Sequence, residues 1–318
     1  MMNNNISIIS LAKTPDYYDE VLSIIETELN YTAPHSYEND FYPLMNSNNW
    51  ENCYLVFYNQ KLVGHIGVRE LDLTFKTYTL PVLFLGGITI KKEFQGKGIF
   101  KFAFQDILSK FQGQHALHFL WSGHQDLYKK FNFHEVGQIY QTGNESFINL
   151  QSFLHKKLNA LNNDEKNFIK SCFDNSFLQT VKIQRTPQDW EAIFQIASVD
   201  VYFQLKDQKY ISYFFINKGQ DLQDIVHEVG AIDLESLNLI IEEVNKFKLW
   251  LPFLSHHQAS STALYLAQAR IENLTLLNAW LEKLNISQLK IEDGMEKNTQ
   301  ILFQSKELSF YIPGVDSI

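Results

Sequence analysis

The sequence predicts an α/β fold of the layered α+β kind, with two tandem domains that each have a mixed central sheet flanked by helices. Three observations indicate this fold. The 318 residues suffice for two domains of ordinary size. Strand-like and helix-like patterns follow one another along the chain. A hairpin pattern that begins at residue 53 returns at residue 201, which indicates a repeated unit.

The first half is predicted to alternate strands and helices. The predicted elements are a strand over 6–12, a helix over 15–29, a hairpin over 53–71, a strand over 81–90, a strand over 116–122, a short helix over 125–131 and a strand over 134–140. The strand PVLFLGGITI is apolar throughout, as in a strand buried on both faces. A helix follows it with one apolar face, made of Phe100, Ala103, Phe104, Ile107, Leu108 and Phe111.

The second half repeats this order after residues 147–178, which are predicted to be a helical connector. Residues 53–68 align without a gap on 201–216, and the turns coincide. Further on, GGITI matches EVGAI and DILSKF matches EEVNKF. Between these two matches the second half is six residues shorter than the first. The missing residues are those that contain QGKG in the first half. We therefore expect domains over 1–146 and 179–318, the second without this loop, and a helix over 187–198.

The composition excludes several classes of function. Apolar residues make up 45 %, and the net charge of −9 is spread along the chain. This balance argues against nucleic acid or an anionic membrane as the main partner. The chain shows no secretion signal and no long apolar window, and Cys53 and Cys172 have no metal or redox spacing. We expect a cytoplasmic protein.

The stretch EFQGKGIFK, residues 93–101, has the chemistry of an anion site. A helix N-terminus offers unpaired N–H groups and a partial positive charge. Glycines before it let successive N–H groups converge on one point. Four lysines surround that point: Lys91, Lys92, Lys97 and Lys101. The pattern fits a pyrophosphate, and the alternative is a helix that begins with a loose turn.

This stretch resembles motif A of the GCN5-related N-acetyltransferases (GNAT), Q/R-x-x-G-x-G/A, which follows a buried strand and opens a helix. The matching residues are Gln95, Gly96, Lys97, Gly98 and Ile99. Phe100 departs from the motif, because the family has a small residue there that allows close approach to the cofactor phosphates. We expect its ring to turn toward the sheet. A dinucleotide-binding fingerprint fits poorly, because that motif follows the first strand of its unit.

A second stretch, LYKKFNF over 127–133, resembles the family signature lYeklGF. Tyr128 takes the tyrosine position, and Asn132 replaces a glycine. Asparagine tolerates a left-handed backbone better than most residues, so the replacement is mild. The resemblance covers residues 6–145 and implies a tandem GNAT arrangement with a degenerate second domain.

The resemblance implies an N-acyltransferase that moves an acetyl group from acetyl-CoA to a primary amine by direct attack. Pantetheine would lie between the fourth and fifth strands, against the backbone of Ile88 and Ile90. The coenzyme A site would comprise Ile88, Thr89, Ile90, Gln95, Gly96, Lys97, Gly98, Ile99 and Phe100. A backbone N–H near Ile90 would polarise the thioester carbonyl. Tyr128 would be the general acid.

The general base stays open at this point. A substrate ammonium must lose a proton before it attacks, and the predicted fourth strand has no carboxylate. The candidates are Glu70, Asp72 and His118. In tandem enzymes of the mycobacterial aminoglycoside-modifying type the terminal carboxylate is the base, so Ile318 is a further candidate beside a merely docked last strand.

Two histidine-containing stretches of the second half remain. His227 and Glu228 interrupt an apolar strand, where a carboxylate needs a partner, and they either hold the halves together or line an acceptor cleft. The adjacent histidines within 255–258 cannot easily face one metal, so we expect no metal site.

The expected partner is the amine of a small molecule or peptide, without nucleic acid or membrane, and a homodimer is compatible with the sequence. The rival hypothesis is a non-catalytic acyl-CoA-binding or interaction protein, in which Phe100 and Asn132 mark a decayed site.

Overall fold

Two mixed β-sheets form the core of the protein in the computed structural model. The structure describes residues 5–148, 150–178, 180–252, 261–286, 302 and 308–317. The strands are β1 (Ile6–Ser10), β2 (Cys53–Tyr58), β3 (Lys61–Phe75), β4 (Tyr78–Ile90), β5 (Leu117–Leu120), β6 (His134–Val136), β7 (Ile139–Thr142), β8 (Leu154–Lys157), β9 (Val181–Ile183), β10 (Asp200–Lys206), β11 (Lys209–Ile216), β12 (Ile225–Ala231), β13 (Lys248–Leu251), β14 (Ser261–Leu264), β15 (Ala267–Ile271) and β16 (Phe310–Tyr311).

Helices cover the sheets. They are α1 (Tyr18–Glu28), α2 (Tyr37–Asp40), α3 (Tyr42–Met45), α4 (Ile99–Lys110), α5 (Gln125–Lys129), α6 (Asn163–Asp174), α7 (Pro187–Ile193), α8 (Leu234–Val244) and α9 (Leu274–Lys283). Short 3-10 turns add Leu11–Lys13, Pro15–Tyr17, Ser47–Asn52, Lys92–Phe94, Leu158–Ala160 and Gly314–Asp316. None of the helices in the described residues is long and apolar enough to cross a membrane.

Both sheets follow one plan, as the repeat predicts. The first sheet has the order β1-β2-β3-β4-β5-β15-β6, with β9 and β16 at the far end of β3. The second sheet has the order β14-β7-β13-β12-β11-β10-β8. In each sheet the strands are antiparallel except for one central parallel pair, β4 with β5 and β12 with β13, apart from the peripheral parallel pair β9 with β16. The prediction of two tandem domains with mixed sheets is confirmed.

The hairpins β2–β3 and β10–β11 turn in the same way. Asn59 and Gln60 have φ values of 50° and 65°, and Asp207 and Gln208 have 50° and 63°. Positive φ at both central residues is the geometry of a type I′ turn, whose twist suits a two-residue hairpin. The alignment of the two hairpins in the sequence is therefore matched in the backbone.

The two sheets exchange strands. β15 of the second half lies between β5 and β6 in the first sheet, and β7 of the first half lies between β13 and β14 in the second sheet. The chain passes from β6 to β7 at Gly137, which has a φ of 68° and would place a Cβ 2.8 Å from the Cβ of Leu266. The prediction of one strand over 134–140 is wrong, because this close crossing divides it between two sheets.

The segment 147–178 contains more than helix. β8 pairs with β10 at the edge of the second sheet. α6 then begins at the predicted break, where the side chain of Asn162 accepts a hydrogen bond from Glu165 N and Glu165 caps Asn162 in return. The helix predicted over 187–198 is shorter, since α7 ends at Ile193.

Candidate active site

A cavity of about 1150 Å³ lies at the end of β4 and is lined by residues from both halves of the chain. The first half contributes the end of β4, the glycine loop before α4 and the first turn of α5. The second half contributes residues that follow β11, Trp250 of β13, residues 264–266 at the end of β14, and residues from the C-terminal segment 308–317.

β4 and β5 separate at this cavity. Their pairing runs from Val82 with Leu117 to Leu85 with Leu120, whereas β4 continues to Ile90. The N–H of Lys91 bonds to the carbonyl of Val63 in β3, so by alternation the backbone of Ile90 and Ile88 faces the other side, where β5 has ended. The free edge of β4 is therefore open to the cavity.

A β-bulge shapes this edge. Thr89 pairs with His65 and Gly86 pairs with Gly67, so Gly87 and Ile88 together face one residue of β3. Gly87 has a φ of 57°, and its carbonyl lies 2.8 Å from Nδ1 of His65. Because a carbonyl can only accept, Nδ1 carries the proton. Burial lowers the pKa of His65 to about 4, so the ring is neutral near pH 7 and holds the bulge as a donor.

The glycine loop forms an open cradle at the start of α4. Gly96 and Gly98 have φ values of 73° and 77°, and a Cβ on either would meet no atom within 4 Å. The first N–H groups of α4 have no intrahelical acceptor. The amide of Gln95 donates to the carbonyl of Ile90 at 2.9 Å, which fastens the loop to the end of β4. An anion fits this cradle.

The predicted coenzyme A residues do not all reach the cavity. Those that line it are Ile88, Thr89, Ile90, Gln95, Gly96, Gly98 and Phe100. Thr89 is 4 % exposed, and its hydroxyl has no hydrogen-bond partner in the described residues. Lys97 instead packs over the ring of Phe94 at 4.8 Å, and Ile99 is buried in the core. Lys101, which the sequence predicts only as a positive charge near the loop, lines the cavity.

Phe100 and Tyr128 lie side by side on the cavity wall. The Phe100 ring stacks on Phe104 at 5.2 Å and meets the rings of Tyr128 and Phe131 edge-on, at 5.9 and 5.7 Å. It therefore turns toward the core between α4 and α5. Burial raises the pKa of Tyr128, and a hydrogen bond with the Ser122 side chain partly offsets this, so the phenol keeps its proton at neutral pH.

The residues proposed as the base do not line the cavity. Glu70 pairs with His115 at 3.2 Å and faces a separate polar pocket of about 460 Å³ beside α3 and α7. His118 is fully buried, and burial followed by the charge of Arg270 lowers its pKa to about 2. Neither site fits the assignment, because Glu70 and His118 both lie level with Leu83, in the part of β4 that is still paired with β5 and before the cavity begins. Ile318 and residues 255–258 lie outside the described residues.

Among the residues of the second half that line the cavity, three carry an amine, a carboxylate or a hydroxyl on an aliphatic side chain, and the sequence does not predict them. They are Lys218, Asp221 and Ser317. Nζ of Lys218 donates to the carbonyls of Gly314 and Ser317, at 2.9 and 2.6 Å, so it fixes the C-terminal segment. Burial lowers the pKa of Lys218 to about 7. The only sequence signal was the turn INKGQD after the second hairpin, which carries no recognised motif.

His227 and Glu228 belong to the core of the second half. Arg185 lies between Glu228 and Asp316 and bonds to both, at 2.5 and 2.8 Å, and all three side chains are buried. The hydroxyl of Tyr213 adds a hydrogen bond to Glu228 at 2.7 Å. This network attaches the C-terminal segment to β12. His227 and Glu228 therefore do not line an acceptor cleft.

At the equivalent place in the second half, the described residues form no comparable anion cradle. α8 follows β12 after two residues, and the carboxylate of Asp233 accepts from Ser236 N at 2.7 Å. A carboxylate therefore already occupies the positive end of this helix. In the described residues there is no group of three or more His, Cys, Asp or Glu side chains that could hold a metal ion.

Comparisons with known proteins agree with this geometry. Residues 11–136 match the family model described as an acetyltransferase (GNAT) domain. No curated protein matches the chain. Among solved structures, a GCN5-related N-acetyltransferase from Anabaena variabilis is 14 % identical, with a TM-score of 0.59 over 85 % of this chain and 74 % of that one.

Two further structures have similar values. A GCN5-related N-acetyltransferase from Kribbella flavida is 11 % identical, with a TM-score of 0.60 over 87 % of this chain and 73 % of that one. Eis1 from Mycobacterium abscessus is 13 % identical, with a TM-score of 0.55 over 85 % and 75 %. Residues 11–136 of the chain thus match an acetyltransferase (GNAT) domain, and the two mixed sheets have the fold of these GCN5-related N-acetyltransferase structures.

Proposed function

We propose that the protein transfers an acetyl group from acetyl-CoA to a primary amine. The observation that carries this proposal is the coincidence, in one cavity, of a glycine cradle at a helix N-terminus with the open edge of β4. A coenzyme A ester needs both features, because it carries a pyrophosphate at one end and an amide-rich pantetheine arm at the other.

The lining residues fit such a co-substrate. The N–H groups at Gly96, Gly98 and the first turn of α4 would hold the pyrophosphate, and Lys101 would add positive charge. The free backbone of Ile88 would pair with the pantetheine amides in the place of a strand. The thioester supplies an activated acyl group and a thiol leaving group.

Tyr128 is suited to protonate the leaving sulfur. Its hydroxyl is protonated at neutral pH, and its ring is held by Phe100 and Phe104 of α4 and by Phe133, which follows α5. The backbone at the Gly87 bulge, fixed by the neutral ring of His65, can direct an N–H toward the developing oxyanion. The acceptor amine would attack from the part of the cavity lined by the second half.

The rival, a non-catalytic acyl-CoA-binding protein, is now supported only by Phe100. Asn132 has a φ of 63° and so adopts the left-handed conformation that a glycine would take. The Phe100 ring packs against Tyr128, however, and occupies part of the wall where the family motif has a small residue.

Calorimetry with acetyl-CoA and a thiol-release assay with a panel of primary amines test the two hypotheses. We expect acetyl-CoA binding and amine-dependent release of coenzyme A. In Tyr128→Phe, kcat should fall by about 10²-fold, the usual size of a general-acid effect, while acetyl-CoA affinity stays unchanged. Binding without turnover on any amine would favour the non-catalytic rival, and absence of binding would reject both.

A further inference from the structure

Asp221 is an unpaired carboxylate in the cavity. Among the described residues, two carboxylate side chains line this space, those of Glu28 and Asp221. The Glu28 carboxylate accepts from Lys92 N at 3.0 Å. Asp221 is solvent-exposed, and no hydrogen bond or ion pair joins its side chain to another residue in the described part of the chain. It is therefore available to a cationic ligand.

The neighbouring cation does not satisfy Asp221. Nζ of Lys218 has three donors, and these face the carbonyl of Gly314 and the carbonyl and hydroxyl of Ser317, at 2.9, 2.6 and 3.3 Å. Lys218 and Asp221 interact at a distance but do not form an ion pair within 4.0 Å in the described structure.

Aromatic residues connect Asp221 to the β4 bulge. Tyr31 meets Tyr37 edge-on with ring centroids 5.5 Å apart, and Tyr37 stacks on Phe41 at 4.5 Å. A Cβ on Gly87 would lie 3.0 Å from the hydroxyl of Tyr37, so this ring reaches the bulge. All of these residues line the cavity.

Tyr31 lies at the Asp221 end of this wall. Its hydroxyl is buried without a hydrogen-bond partner in the described residues. Burial, followed by the charges of Asp221 and Asp40, raises the pKa of Tyr31, so the phenol stays neutral. The side chain of Gln220 donates to the carbonyl of Asn30 at 3.3 Å, which holds the Asp221 loop against this wall. A carboxylate beside aromatic faces is an arrangement that favours organic cations.

We propose that Asp221 binds a second, charged amine of the acceptor, so that the preferred substrates are diamines or larger polyamines. This proposal rests on the proposed function. An ammonium paired with Asp221 has no free electron pair, so a different amine of the same molecule must react. That amine lies toward the bulge, where its nitrogen bonds to the acyl carbon as the C–S bond breaks. The sulfur takes up a proton, and the nitrogen releases one to solvent.

Matched acceptors test the proposal. We expect kcat/KM for 1,5-diaminopentane to exceed that for pentylamine by at least about tenfold, because the added ammonium gains a charge-assisted contact. In Asp221→Asn the KM for the diamine should rise by about 10- to 100-fold with kcat little changed, while the values for pentylamine stay the same. Asp207→Asn, an exposed position in the β10–β11 turn, should leave both unchanged.

Binding measurements separate this proposal from the function on which it rests. Asp221→Asn should keep the acetyl-CoA affinity of the unchanged protein and lose calorimetric binding of the diamine to the coenzyme A-saturated protein. Equal use of diamine and monoamine, or an equal effect of the variant on both, would overturn the role of Asp221 and leave the transferase function standing. Failure to bind acetyl-CoA would instead overturn the function itself.

Discussion

Three buried histidines make the stability of this protein depend on pH. Burial lowers the pKa of His65 and of His227 to about 4, and that of His118 to about 2. His65 and His227 each use one ring nitrogen to contact a backbone carbonyl, of Gly87 and Asn217. The rings of His65 and His227 are thus neutral in the folded state, and each donates an N–H to that carbonyl.

We expect the contribution of these histidines to the free energy of unfolding to fall as the pH is lowered below 6.5. In the unfolded chain these histidines take up protons below pH 6.5, whereas the folded chain binds none until about pH 4. Stability is therefore complete above pH 6.5 and is lost toward pH 4, by about 1.4 kcal/mol per pH unit for each histidine. Urea unfolding at pH 7.5, 6 and 5 measures this slope.

A pair of variants serves as the check. In His65→Gln the slope below pH 6.5 should decrease by about 1.4 kcal/mol per pH unit, since one such group is removed. Substitution of the exposed His124 by glutamine should not reduce the slope. An unchanged slope in His65→Gln would contradict a neutral, buried ring.

At the scale of elements, α4 and α8 begin differently although they occupy equivalent places after β4 and β12. α4 begins at Gly98 with a left-handed residue and no side-chain cap, whereas α8 is capped by Asp233. The deletion of six residues seen in the sequence thus replaces an open anion cradle with a self-capped helix. Of these two helix starts, only that of α4 has a backbone open to a pyrophosphate.

Alanine at Gly98 should weaken acetyl-CoA binding. The new methyl group meets no protein atom, but it enters the cradle, and a left-handed alanine costs about 1–2 kcal/mol. We expect calorimetry to show at least about a tenfold loss of affinity, with a stability loss limited to the backbone strain.

Gly113→Ala is the matched control. Gly113 follows α4, has a φ of 74° and likewise has open space around it, but it does not line the cavity. Gly113→Ala should lose about as much stability as Gly98→Ala but keep the acetyl-CoA affinity of the unchanged protein. Equal affinities of the two variants would show that the loop does not hold the phosphates.

At the scale of the whole molecule, the exchanged strands make the two halves interdependent. β5 and β6 do not pair with each other and are joined only through β15, while β7 takes its partners from the second half. The C-terminal segment then returns to pair β16 with β9 beside β3. Each sheet therefore contains strands from both halves of the chain.

A fragment of residues 1–146 should therefore fail to fold alone, since its edge at β5 stays unpaired. We expect weak near-ultraviolet circular dichroism and no cooperative unfolding from this fragment. Co-expression with residues 147–318 should restore a soluble complex. A cooperatively folded fragment 1–146 would show that β15 is dispensable.

The sequence by itself determined the features that depend on residues close together in the chain. These features are the glycine loop after an apolar strand, the turn at Asn132 and the paired hairpins. They follow from the backbone preferences of residues that are adjacent in the sequence. Assignments that required side chains to meet in space, such as Glu70 and His118 as bases, did not fit. Strand direction and burial placed them elsewhere.

Only the tertiary structure decided the strand exchange and the share of the second half in the cavity. Asp221 and Lys218 line the same cavity as the β4 bulge although they lie more than a hundred residues away in the chain, and the ordinary turn around them carries no local signal. Such contacts form when strands and sheets pair and pack with segments that are distant in the chain. Periodicity and spacing in a single sequence indicate local secondary structure but not which distant segments will pair.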